Sequence, residues 1–599
     1  MPSQHPNALT PVPAFVQPDR VERLTRAAPL LHEMFAQHAA AQNIPGISFG
    51  VIVDGICVYA DGVGVRRPDG HEAPRGDTVY RIASMTKSFA AAAVLKLRDE
   101  GRLRLDDPAH AYLPELGRVS APTDDSPPLT LRHLLAMNAG WPQDDPWADR
   151  QLYRTNAEMS ALLAPGISWS SAPGEHFEYT NLAYILLGGV IHNVTGVEAP
   201  AYITEQLLEP LGMRDTCWDE ADVAPDRLAP GQRHEDGVWK EEERLPCGGD
   251  VVAFAGLFST VFDLARWIGL FLSAHPARDA PDHGPLARRS LREMMRIQTA
   301  ERRRRLLVRA GERNGATQYG YGLGLQMQDR GSHWSAGHSG GVPGYGSHMR
   351  WLPEFGFGVV ALGNRTYAPL GGVAEQALET LRLSAEPLPR RRRASSALLA
   401  AQDGVNRLLQ SWDPALAESL FADNFMLDCD EAHWLERLRD VRAQIGTPTG
   451  ESGPINATNW LRGEWRVAGP RGWCHVWMTL SPLVPARVQF LRLTAHAFPS
   501  ESLVEHAEAA AAVVLAEDWA TMSERLAALL SDPAELPSTL ADIAVVRASN
   551  RPSALGDYTA GDGQHHGRWR LSCERGAVWL EVRLNDDRKF SALRLLTRD

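Results

Sequence analysis

Three short stretches hold the residue types from which a hydrolytic centre can be assembled: S-M-T-K at 84–87, Y-T-N at 179–181 and G-H-S-G-G at 337–341. Two serines therefore compete to be the nucleophile. Ser339 lies in G-x-S-x-G, the pattern of a nucleophile elbow, in which a strand delivers the serine and a helix starts directly after it. The residues that follow are G-G-V-P-G-Y-G, and Pro343 with four glycines in seven positions rules out a regular helix there. Ser84 has the better setting. It opens an alanine-rich run that predicts a helix from Ser84 to Glu100, stopped by Gly101. The N-terminal end of a helix offers unpaired N–H groups and partial positive charge, which favour an alkoxide or a tetrahedral oxyanion. Lys87 follows one turn later, so its amine reaches the Ser84 hydroxyl. A free lysine has a pKa of about 10.4, and burial or neighbouring positive groups must lower it before it acts as a base near neutrality.

The elements that must position these groups are legible in outline. An amphipathic helix is expected over 22–42, followed by two β-rich runs around Asp54-Gly55, the signal of a tight hairpin. Further helices are expected near 130–137, 180–195 and 261–273, and strands at 321–327, 346–352 and 357–363. A hairpin at the start, strands at the end and helices between them predict an α+β domain: an antiparallel sheet whose first and last strands meet, flanked by helices and interrupted by an all-helical insert.

The combination S-x-x-K, Y-x-N and H-x-G, in this order, resembles the serine β-lactamase and penicillin-binding-protein-like superfamily. The stretches L-T-L-R-H-L-L-A-M-N-A-G, A-G-L-F-S-T-V-F-D-L-A-R and Y-G-L-G add to the likeness, which covers residues 25–370 and leans to the class C lactamase, esterase and D-peptidase branch. The resemblance implies that Ser84 is the nucleophile and forms an acyl-enzyme, that Lys87 accepts or relays its proton, and that Tyr179 is the partner base and proton shuttle. It implies that Asn181 holds Lys87 and binds the substrate's amide. His338, Ser339 and Gly340 would form the edge strand opposite Ser84, and the oxyanion hole would be the backbone N–H groups of Ser84 and Gly341. Ser339 then becomes a wall residue of the same cleft. No metal and no cofactor is called for by such a mechanism. His338 stands where β-lactamases mostly carry lysine. A neutral imidazole is the weaker anchor for a carboxylate, so the expectation is a peptidase or amidase on small peptides or peptide-like compounds, D-residue or linearised cyclic peptides included, rather than an efficient penicillinase. A carboxylesterase is the alternative with the same residues, and an acylation-triggered sensor the alternative from another class. The 141–175 and 230–256 loops are expected to supply pocket walls, with Trp141 and Trp147 as apolar surface.

The chain has 599 residues, too many for one core, with 44% hydrophobic and 22% charged residues and a net charge of -12. That acidity argues against a nucleic-acid partner. The six cysteines form no C-x-x-C and no tight cluster, which disfavours a disulfide framework or a zinc site. No basic start followed by an apolar run is visible and no apolar stretch approaches a membrane span, so the expectation is a cytoplasmic protein without membrane partners. The hydrolase domain is assigned to 20–387. L-P-R-R-R-R-A-S-S around 388–397 is expected to be a solvated linker, and Arg302 to Arg305 a solvated run. Beyond it, G-E-W-R-V-A-G-P-R-G-W-C-H-V-W-M-T-L at 463–480 recurs as G-R-W-R-L-S-C-E-R-G-A-V-W-L-E-V-R-L at 567–584. Two small α+β domains are expected, 398–497 and 500–599, each a helical segment followed by a curled antiparallel sheet, with core tryptophans at Trp465 and Trp569. These domains are also candidates for homo-oligomer contacts. His565-His566 reads as a solvated turn rather than a metal pair.

Overall fold

The computed structural model describes residues 15–596 except 246–247, 279–280, 302–316, 391–393, 517, 550–551 and 574–575. The arginine run at 302–305 and Arg391 to Arg393 lie outside the described residues.

The chain opens with two helices, α1 (Arg20–Ala27) and α2 (Leu30–Ala41), where a single one was expected over 22–42. Pro29 explains the break, because it has no N–H to continue the helix. The hairpin β1 (Gly46–Val53) and β2 (Ile56–Gly64) turns at Asp54 and Gly55, both with positive φ (51° and 87°), the conformation that an Asp-Gly turn adopts with least strain. The remaining strands of the main sheet come late in the chain: β3 (Thr299–Ala300), β4 (Gln318–Tyr321), β5 (Gln326–Asp329), β6 (Trp334–Val342), β7 (Tyr345–Leu352) and β8 (Phe357–Gly363). They join in the order β2-β1-β8-β7-β6-β5-β4-β3. The first strand pairs antiparallel with the last, Ile47 opposite Gly363 through Val53 opposite Phe357. The expected strand over 321–327 is instead two strands reversing at Gly322–Leu325, because Gly324 takes φ +75° and packs on the backbone of Lys87 and Ser88.

Alternation along the central strands feeds two cores. Phe49, Val51, Val359 and Ala361 face α2 and the helix α6 (Gly371–Ala385), whereas Ile52, Val360 and Leu362 face the helical insert. Three helices carry that second core: α3 (Thr86–Asp99), α4 (Asn181–Thr195) and α5 (Val261–Ala274). Helix α3 is buried from Thr86 to Leu95, and its run Phe89 to Leu95 is accordingly apolar on every side. Among the described residues no single helix is long and apolar enough to cross a membrane.

Beyond α6, Arg390 turns back onto this body, donating to the His275 carbonyl at 2.8 Å and approaching Asp54 at 3.5 Å, so this arginine is anchored where a solvated linker was expected. Two four-stranded antiparallel sheets follow, β9 (Asn456–Asn459) to β12 (Val488–Ala497) and β13 (Pro552–Gly561) to β16 (Phe590–Leu596), in sequential order. In the first, Cys474, Val476, Met478 and Leu480 are buried against the helices Ser396–Gln410 and Glu431–Ile445. In the second, Val578, Leu580, Val582 and Leu584 are buried in the same pattern. The likeness of the two copies extends to detail. Each has a register irregularity at the matching residue, Leu480 and Leu584, and each has a parallel bridge onto the start of its last strand, Phe421 to Val488 and Leu530 to Phe590. Trp465 and Trp569 are core residues, 3% and 4% exposed. His566 stands on a strand, 3.8 Å from Glu581, rather than in a turn.

Candidate active site

The α-helix begins two residues later than expected, at Thr86, and Ser84 sits in a 3-10 turn, Ala83–Met85, that feeds into it. Ala83 takes φ +48°, a conformation that costs a non-glycine residue about 1–2 kcal/mol. Tertiary contacts hold this turn on both sides. The Ile82 N–H donates to Leu257 O at 2.8 Å, and the Ser347 hydroxyl donates to Ile82 O at 2.7 Å. The sharp bend aims the Ser84 side chain into a cleft of about 490 Å³.

Lys87 is fully buried one turn on. Its Nζ donates to Ser84 Oγ at 2.8 Å and to the Phe254 carbonyl at 3.1 Å, and lies 5.0 Å from the centre of the Tyr179 ring. Burial brings its pKa down to about 7, with Asp145, Asp149 and Asp144 pulling the other way. Tyr179 arrives from the extended segment before α4, within hydrogen-bonding reach of Ser84. Burial raises its pKa well above 10, so the phenol is protonated at neutral pH.

Strand β6 closes the other side. A Cβ on Gly340 would fall 2.3 Å from both Ile82 O and Ser347 Oγ, so only glycine lets the strand lie against the Ser84 turn. The Ser339 N–H points away from β7, to Gln326 Oε1 at 3.2 Å. Amide directions alternate along a strand, so Gly341 presents its N–H to the same edge, and Gly341 lines the cleft together with Ser84. The Ser339 hydroxyl pairs with His348 Nδ1 at 2.8 Å.

Four expected positions differ. His338 does not line the cleft; it is fully buried behind Tyr321, donating from Nδ1 to the Ser339 carbonyl at 2.6 Å and accepting at Nε2 from the Tyr321 hydroxyl at 3.0 Å. Burial brings it down to about 3, and it is neutral. Asn181, expected to hold Lys87, gives its amide N–H to Asp145 Oδ1 at 2.9 Å, while its own Oδ1 has no partner among the described residues. A carboxylate is the stronger acceptor and has captured the amide. Trp141 is no part of the cleft wall: it is 1% exposed, packs against Trp169 at 5.8 Å and lines a separate cavity of about 270 Å³. Trp147 is 39% exposed but does not line the cleft either.

Other residues reach the cleft unannounced: Gln143, Asp145, Asp149, Tyr321 and Tyr367. Tyr321 had a signal, the Y-G-L-G stretch. Asp145 lies within W-P-Q-D-D-P-W and Asp149 two residues beyond it, where nothing local separates a cleft carboxylate from a solvated one.

Sheet, helical insert and serine-bearing helix end together define a β-lactamase/transpeptidase-like fold. The family model described as Beta-lactamase matches residues 31–382, and the chain belongs to that family, whose members are serine hydrolases. Among curated relatives, the D-alanyl-D-alanine-carboxypeptidase/endopeptidase AmpH of Escherichia coli (strain K12) is 29% identical over 271 residues, 41% of this chain and 65% of that protein. Protein flp of Staphylococcus aureus (strain MW2) is 34% identical over 179 residues, 30% of this chain and 36% of that protein. The chain thus matches about 65% and 36% of these relatives' own lengths. Among solved structures, the octameric penicillin-binding protein homologue from Pyrococcus abyssi aligns with a TM-score of 0.50 at 20% identity, covering 95% of this chain and 99% of that one. At that identity the likeness concerns the fold alone.

Proposed function

We propose that the protein is a serine hydrolase that works through an acyl-enzyme on Ser84 and cleaves an amide bond in small peptides or peptide-like compounds. One observation carries this reading: a fully buried lysine amine 2.8 Å from a serine hydroxyl, with its pKa brought down to about 7. A base matched to ambient pH combines the right protonation state with useful proton affinity. In the neutral form Lys87 accepts the Ser84 proton as Oγ attacks the substrate carbonyl. The oxyanion takes hydrogen bonds from the N–H groups of Ser84 and Gly341, each worth about 3–4 kcal/mol of barrier in comparable sites. Tyr179, held as a phenol, gives its proton to the leaving amine and regains one through Lys87. The amine departs, and water attacks the ester by the same steps in reverse. Tyr179 is therefore a shuttle and Lys87 the base, a sharper division than the shared role the sequence resemblance implies. The D-alanyl-D-alanine carboxypeptidase activity in the AmpH name supports a peptidase over an esterase.

A fluorophosphonate probe tests the nucleophile. It should label the protein and the Ser339→Ala variant and leave Ser84→Ala unlabelled; the reverse pattern would move the chemistry to Ser339. Matched amide and ester substrates test the bond type, and turnover confined to esters would make the protein a carboxylesterase.

A further inference from the structure

The cleft wall at 143–149 carries charge that the fold does not balance. Asp144 is committed to structure: it accepts from Asn181 N at 2.6 Å, Leu182 N at 2.9 Å and Thr180 Oγ1 at 3.1 Å, capping α4. Asp145 and Asp149 line the cleft instead. Asp145 accepts neutral amide N–H groups from Asn181 and Gln143, both at 2.9 Å, and Asp149, 3% exposed, accepts the Tyr367 hydroxyl at 2.8 Å. Among the described residues no arginine, lysine or histidine forms an ion pair with either carboxylate. The cation whose field reaches both is Lys87, which acylation requires in its neutral form. Buried carboxylates without a cation are costly.

A second, separate feature stands at the same place. Asn181 is 1% exposed and among the described residues its Oδ1 has no donor, although its Nδ2 touches Asp145. A buried acceptor left open beside two unbalanced carboxylates calls for a group that is positive and rich in N–H. An ammonium supplies one charge and three donors. We infer that the Asp145–Asp149 wall, with Asn181 Oδ1, is a subsite for a primary ammonium, so that the preferred substrates are small amides whose acyl group carries a free amino group. This rests on the serine-hydrolase reading, and it adds a substrate class to it.

The test compares three p-nitroanilides on the full-length protein: alanine p-nitroanilide in both D and L forms, its N-acetyl derivative, and propionyl p-nitroanilide, which lacks the amine. The free amine should give kcat/KM at least about tenfold above both others, the scale of a charge-assisted hydrogen bond. Asp149→Asn should collapse that ratio toward one, and Asp145→Asn provides a second variant should the first fail to fold. The ratio is decisive because a carboxylate that merely tunes Lys87 would change all substrates together. Equal rates on the free, acetylated and deaminated compounds would overturn the inference, as would an Asp149→Asn variant that kept the preference. Fluorophosphonate labelling of Ser84, run in parallel, separates the two failures: labelling without amine preference sinks only the subsite, whereas absent labelling sinks the hydrolase reading and the subsite with it.

Discussion

Two walls of the cleft each bury a basic side chain completely, and the two end in opposite states. Lys87 on the helical wall and His338 on the strand wall are both 0% exposed, and burial drives both toward the neutral form. What differs is the company. Three aspartates face Lys87 and hold it near 7, where it can gain and lose a proton. Among the described residues the charges that act on His338 are those of Lys87 and Arg350, which push it further down, and its two nitrogens are tied to Tyr321 and the Ser339 carbonyl. Equal desolvation therefore gives a titratable base on one side and a fixed, neutral support on the other. Burial sets the direction of a pKa shift, but the neighbours decide whether the group remains useful at neutral pH.

The comparison is broken most forcefully at Lys87. Replacing it with methionine keeps the packing volume and removes the base, and kcat/KM should fall by about 100- to 10,000-fold, the span of lost general acid–base catalysis. Tyr179→Phe removes only the shuttle, and steady-state rates should drop by about 100-fold, at the lower end of that range. A rate unchanged in either variant would remove that residue from the mechanism. Gly340→Ala separates the walls without touching a titratable group. A Cβ there meets Ile82 O and Ser347 Oγ at 2.3 Å, so β6 must retreat from the Ser84 turn. Overpacking of this kind costs about 1–3 kcal/mol, read as a lower Tm together with slower fluorophosphonate labelling of Ser84.

The pH dependence sharpens the contrast further. Lys87 is active as the neutral amine, so kcat/KM should rise with pH through about 7 and then level off. Asp145→Asn removes a carboxylate that raises the Lys87 pKa, and the rising limb should shift to lower pH. His338 titrates far below this range, at about 3, so His338→Gln should leave the position of the limb where it was even if the rate falls. A limb that moved with His338 and stayed fixed with Asp145 would exchange the roles assigned to the two walls.

What the sequence disclosed follows from how local each signal is. The Asp54-Gly55 hairpin and the alanine-rich helix are properties of a few adjacent residues: the hairpin formed where expected, and the helix differs only at its ends, running from Thr86 to Asp99. The meeting of first and last strands followed from the order of elements, and β1 pairs with β8 along its length. Serine and lysine on one helical turn were readable as neighbours because 3.6-residue geometry places them there. Groups positioned by distant chain were not. Nothing near His338 says that Tyr321 will stand between it and the cleft. Trp141 looked like pocket surface because nothing local tells an aromatic wall from an aromatic core, and Trp169 decides that from 28 residues away. Asp145 and Asp149 gain meaning only once α4 and Tyr367 are folded against them.

The smallest expected effect falls on the second serine. Ser339 is on the strand wall, and its hydroxyl is engaged by His348 Nδ1 at 2.8 Å, on the side where Gly371 of α6 closes over both groups. Ser339 lines the cleft, as expected of a wall residue, and its backbone N–H is spoken for by Gln326. Ser339→Ala keeps that backbone and forfeits one partly buried hydrogen bond, with a net effect on stability of about 0.5–1.5 kcal/mol. Its kcat/KM should fall by less than about tenfold, against at least about 100-fold for Lys87→Met. A Ser339→Ala variant as impaired as Lys87→Met would mean that the strand wall takes part in the chemistry directly, and the asymmetry between the two walls would then have to be abandoned.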